Sequence, residues 1–147
     1  MSASRCKALA LFPDYASHLA RPDATLGRLF SELTSDVKEA HARYAADPAD
    51  AGAADALRRV HGFAEWCLHH DALWDAAGVG FLEDLFAVVP WEQLPPWLSP
   101  FVVAEVRKTY ALGLDHEGWP KLARLVDART DHAYSTTVFA TGEIERL

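Results

Sequence analysis

From Leu26 to Tyr44 the chain repeats apolar positions three and four residues apart. Leu26, Leu29, Phe30, Leu33, Val37, Ala40, His41 and Tyr44 fall on one stripe, and the spacing predicts an amphipathic helix over about Thr25–Ala46. Asp23 or Thr25 can cap its start, and Asp47-Pro48 ends it. Before it, Ser4–Leu19 reads as a helical segment interrupted at Pro13, which suits the first position of a second short helix. After it, the alanine-rich Ala45–Ala56 reads as an exposed turn and a helix start. Asp50–His70 then carries Leu57, Val60, Phe63, Ala64 and Cys67 on one arc.

The same period continues through about Ala72–Val88 in Leu73, Trp74, Ala77, Phe81, Leu82, Leu85 and Phe86. Gly78 and Gly80 weaken its middle and predict a kink or break there. Pro90–Leu98 (PWEQLPPWL) is a turn-rich connector. Ser99-Pro100 is a start signal for a helix to about Leu112, which Gly113 ends. Asp115 can cap a last helix with Trp119, Leu122, Leu125 and Val126 on its inner face. From Thr130 the residues (Tyr134, Thr136, Thr137, Val138, Phe139) favour extended chain. The expected architecture is all-α: a single-domain bundle of five to seven helices over residues 1–129, with an extended or strand-like tail over 130–147.

Composition narrows the class. At 147 residues the chain is of one-domain size, and half of its residues are apolar, as in a globular protein. Cys6 and Cys67 belong to no ligand-spaced set and indicate neither a disulfide framework nor a structural zinc site. The longest nearly uncharged stretch, around Phe86–Phe101, is broken by Glu92 and by four prolines and cannot span a bilayer as a helix. Arg5 and Lys7 precede only five apolar residues, too few for a signal-peptide core. These features lead to the expectation of a cytoplasmic protein with reduced thiols and no membrane partner.

Charge adds more. Between Arg59 and Arg107 lie 47 residues without a lysine or arginine, and they hold Glu65, Asp71, Asp75, Glu83, Asp84, Glu92 and Glu105. Those seven acids equal the whole net charge of −7, since the other residues carry fourteen of each sign. A field of one sign repels nucleic-acid phosphate and attracts cationic partners.

Candidate chemistry centres on VHGFAEWCLHHDALWDAAG, residues 60–78. His61, Glu65 and His69 stand four apart. With Val60 at 0° on a helical wheel they fall near about 100°, 140° and 180°, beside Arg58 near 160°, and so are expected on the polar face, away from the core. Neighbours in that row can share a metal, but the full row is about 12 Å long, and no second HxxxH or ExxH element faces it. Cys67 lies on the apolar arc and is expected to be an inert core thiol; Cys67–His70 is a dyad by spacing only. There is no GxSxG, GxxxxGKS, HExxH or GxGxxG motif. Trp66, Trp74 and Trp119 have helical spacing and are expected in the core. Trp91 and Trp97 flank the proline-rich connector, where an aromatic beside carboxylates can pack on the domain or anchor a protein partner.

The segments RVHGFAEWCLHHDALWDAAGVGFLEDLF and WLSPFVVAEVRKTYALGL resemble those of small uncharacterised bacterial helical proteins. The resemblance rests on an aromatic-rich helix (Phe63–Trp66), a WxxAG element (Trp74–Gly78) and a WLSP turn (Trp97–Pro100), and covers roughly residues 57–126. In size, acidity and helicity such proteins are similar to the immunity proteins that neutralise bacterial toxins. The resemblance implies a binding role and assigns no catalytic residue.

The reading that follows is a protein-binding module without a cofactor. It would take a basic protein, such as a toxin neutralised by an immunity protein, through Glu83, Asp84, Trp91, Glu92 and Trp97. Two alternatives stand beside it. One is a metal-binding or acid–base helical domain using His61, Glu65 and His69. The other is a homodimeric structural or regulatory protein.

Overall fold

The computed structural model describes residues 2–110 and 118–128. The extended C-terminal tail expected over 130–147 lies outside the described residues, as does the expected end of the seventh helix at Leu112 with its stop at Gly113. Every regular element among those described is helical. Helix α1 (Ala3–Leu11) leads through a 3₁₀ turn (Pro13–Tyr15) into the short α2 (Ala16–Leu19). The long α3 (Leu26–Ala46) and α4 (Ala51–Leu68) pack against one another. α5 (Asp71–Ala77), a π-helical turn (Gly78–Leu82) and α6 (Glu83–Val88) follow as one continuous rod. Two 3₁₀ turns (Trp91–Gln93 and Pro95–Trp97) connect to α7 (Pro100–Tyr110), and α8 (Gly118–Asp127) lies against it. The all-α bundle expected from the sequence is thus what the chain forms.

Local chemistry fixes the helix starts. The hydroxyls of Ser2 and Thr25 accept from the amides of Arg5 and Arg28, and Asp50 accepts from Ala53. Each satisfies a first-turn donor that the helix itself leaves open, worth about 1 kcal/mol apiece. Ser99 caps α7 in the same way, accepting from Val102 at 3.1 Å. The prolines at 13, 95 and 100 sit in first-turn positions, where the missing N–H costs nothing.

The core is a chain of rings. Phe12 meets Phe63 edge-on at 5.6 Å, Phe63 stacks on Phe30 at 5.5 Å, and Phe30 stacks on Phe81 at 5.0 Å. These contacts join the residue that ends α1 to α4, α3 and the π turn. Such pairs contribute about 0.5–1.5 kcal/mol each beyond simple burial. Trp66, Trp97 and Trp119 are all buried within the same continuous core.

The helical wheel fails on α4. His61, expected on the polar face, is only 3% exposed. The wheel assumes one buried side, but α4 contacts α1, α3, α5, the π turn and α7, so apolar neighbours surround most of its circumference. Leu125 departs in the opposite sense: expected on the inner face of α8, it is 42% exposed.

The expected kink at Gly78 and Gly80 is a π turn instead. An uninterrupted α-helix would rotate everything after it by about 100° relative to what precedes. The one extra residue that a π turn accommodates removes that offset. As a result Ala77, Phe81, Leu82, Leu85, Phe86 and Val89 all reach the core. Asp71, Asp75, Val79, Asp84 and Val88 all stay outside.

Candidate functional site

The α5–π–α6 rod therefore presents a single outer face. Asp71, Asp75 and Asp84 are exposed on it, and Glu92 is exposed just beyond, in the connector. None of the four pairs with a cation among the described residues. The acids elsewhere differ: Glu32, Asp23, Asp50 and Asp55 each face a histidine or arginine. Glu83 is half-buried. Val79 and Val88, 44% and 41% exposed, lie among these carboxylates.

Two of the seven acids serve the fold. Glu65 accepts a 2.8 Å hydrogen bond from the Ser99 hydroxyl and so ties α4 to the start of α7. Glu105 accepts from the Trp74 indole at 3.0 Å and pairs with Lys108 at 2.7 Å. Those donors, led by Lys108, hold its carboxyl below the ordinary range.

The aromatics divide. Trp97, expected as a partner anchor, is 2% exposed: its ring stacks on His61 and meets Tyr44 edge-on at 5.1 Å. It fills the core between α3 and α4 and offers no surface to a partner. Trp91 is half-buried at the rim. Its indole N–H donates to the Phe86 carbonyl at 2.9 Å, and its ring packs on Trp119 and over Gly118. It directly precedes the exposed Glu92 in the connector.

The His61, Glu65 and His69 row is dispersed. His61 points into the core, Glu65 serves Ser99, and His69 lies at the surface stacked on Phe101, ring centres 4.1 Å apart. Partial burial, and then His70 beside it, push His69 below its ordinary pKa, while Glu105 pulls the other way. His70 is engaged with the Trp66 carbonyl. No group of three metal-ligating side chains converges among the described residues. Cys67 is buried, and burial pushes its thiol well above the ordinary range, so neither it nor a Cys67–His70 dyad is set up for attack.

A pair that periodicity does not reveal is His41 with His61. Their Nε2 atoms meet at 2.9 Å across the α3–α4 interface, with both rings buried. Periodicity places His41 in the apolar stripe of α3 but His61 on the polar face of α4. No local signal marks His61, because Arg58, Arg59 and Glu65 stand within four positions of it.

One further hollow, of about 160 Å3, lies between Phe12, Tyr15, Leu33, Asp36, Arg59 and Val60. Three of its polar side chains are already engaged. The Tyr15 hydroxyl donates to Asp36, and Arg59 donates to the Leu11 carbonyl and pairs with Asp55.

Compared with protein-family models, curated proteins and solved structures, the chain matches none.

Proposed function

We propose that the chain is a protein-binding module that receives a basic protein on the outer face of the α5–π–α6 rod and the adjoining connector. The observation that carries this reading is a face with Asp71, Asp75, Asp84 and Glu92 exposed without a cation among the described residues, and with two exposed valines between them. Unpaired carboxylates steer a cationic partner into place, and apolar side chains among them supply the short-range contact. The recognition set is thus Asp71, Asp75, Val79, Asp84, Val88 and Glu92, with Glu83 and Trp91 at its margin. In its finer form the reading is an immunity protein that neutralises a cationic toxin, such as a nuclease whose own nucleic-acid surface would be drawn to this face.

The test is capture from cell extract. The triple substitution Asp75→Asn, Asp84→Asn and Glu92→Gln should release basic proteins that the unchanged chain retains. Raising salt from 0.1 to 1 M should do the same, because the screening length falls from about 10 Å to about 3 Å. The control substitutions Asp14→Asn, Glu32→Gln and Glu39→Gln remove equal charge elsewhere and should retain them. Equal release by both sets would place binding on another surface.

A further inference from the structure

We propose that the His41–His61 pair is an acid-operated latch, fastening the connector and the π turn onto α3 and α4 while both rings are neutral and releasing them when the rings are protonated. The inference is independent of which partner the outer face receives.

The geometry carries it. One ring donates and the other accepts in the 2.9 Å Nε2···Nε2 contact, which requires at least one Nε2 to be free of a proton. The two remaining elements of the latch rest on His61: the Trp97 ring is nearly parallel to it at 6.3 Å, and Phe81 of the π turn lies 6.4 Å away. The Trp97 side chain makes no hydrogen bond among the described residues, so its own hold on α3 and α4 is by ring contacts. His61 Nδ1 likewise has no hydrogen-bond partner among them.

No carboxylate is positioned to neutralise a charge on the pair. On α3 the titratable neighbour is Tyr44, turned to Trp97. On α4, Arg58 and Glu65 stand about a turn to either side, and Glu65 serves Ser99. The π turn Gly78–Leu82 and the 3₁₀ turn Pro95–Trp97 contain no titratable residue. A first proton would therefore place an uncompensated cation inside the ring cluster. A second would give both Nε2 atoms a hydrogen and force them apart.

Burial agrees with this: it lowers His41 from 6.5 to about 4 and holds His61 well below its ordinary value, with His41 adding to the effect. In the unfolded chain both rings return to about 6.5. Between those limits the unfolded chain binds more protons than the folded one. The contribution to stability is thus complete above about pH 6.5 and is lost as pH falls toward 4.

The experiment follows unfolding by denaturant across pH 7 to 4, with the indole resonances of Trp97 and Trp66 read alongside. Below pH 6 the unfolding constant of the unchanged chain should rise by up to about 100-fold per pH unit, the limit for two protons taken up. The Trp97 signal should shift at a higher pH than that of Trp66. In His41→Phe/His61→Leu, where two apolar side chains replace the pair, the rise between pH 6.5 and 4.5 should vanish. An unchanged rise in that variant would assign the acid response to carboxylates and overturn the latch. Should the variant not fold, the imidazole nitrogens of the unchanged chain decide: neutral rings at pH 5.5 support the latch, and a reversible titration near 6.5 with Trp97 undisturbed overturns it. Loss of the Trp97 and Trp66 signals at one pH would also overturn it, since the connector would not be released first.

Discussion

Trp97 shows how far a residue's environment can reverse the role its sequence context suggests. Beside prolines and acids it looks like a surface anchor, yet it is 2% exposed and packed between His61 and Tyr44. Trp97→Ala should therefore act on stability, lowering the unfolding free energy by about 3–5 kcal/mol in denaturant titrations. A surface anchor would leave that titration nearly unchanged. The two thiols make a matching contrast, because Cys6 is exposed and Cys67 is buried. A thiol reagent at neutral pH should label one equivalent quickly and the second only on unfolding. Two fast equivalents would mean that α4 is rotated from the orientation described. Cys67 could be read from the sequence because it sits on the apolar arc. His61 could not, because its neighbours on α3 and in the connector bury it, and they lie 20 and 36 positions away in the chain.

Among the elements, the α5–π–α6 rod and the α8 start depend most on close approach. At Gly118 an added Cβ would lie 2.5 Å from the Trp91 ring, which is pinned by its hydrogen bond to the Phe86 carbonyl. Gly118→Ala should displace that ring and cost about 1–3 kcal/mol, with a change in tryptophan fluorescence that marks the movement. An unchanged emission spectrum and midpoint would show that Trp91 yields freely. The glycines at 78 and 80 signalled a disturbance in the rod from sequence alone. Its form did not follow from them, because a kink and a π turn are equally compatible with weak helix formers. The π turn brings Ala77 before it and Leu85 and Phe86 after it to the same core as Phe81.

For the molecule as a whole, charge and fold are largely separable on the outer face. Asp71→Asn, Asp75→Asn and Asp84→Asn together should leave the thermal midpoint unchanged or raise it slightly. Each side chain is exposed, none has an ion-pair partner among the described residues, and removing like charges relieves repulsion. A drop of several degrees would reveal a structural role for these carboxylates. Glu65 and Glu105, drawn from the same acidic run, behave differently because Ser99 and Trp74 engage them. The run of seven acids was plain in the sequence, but not that Glu65 and Glu105 serve the fold while Asp71, Asp75, Asp84 and Glu92 stand exposed without a cation among the described residues.

By itself the sequence determined the helical class, the register of α3, the capped start of α7 and the acidic bias of residues 60–106. All of these depend on neighbours within a few positions, through periodicity, capping chemistry or simple counting. The tertiary structure alone decided that α4 is enclosed on most sides, that His41 meets His61, that Trp97 closes over them, and which carboxylates have no cation among the described residues. Those outcomes depend on which helices pack together, and a wheel drawn for one helix has no term for the helices around it.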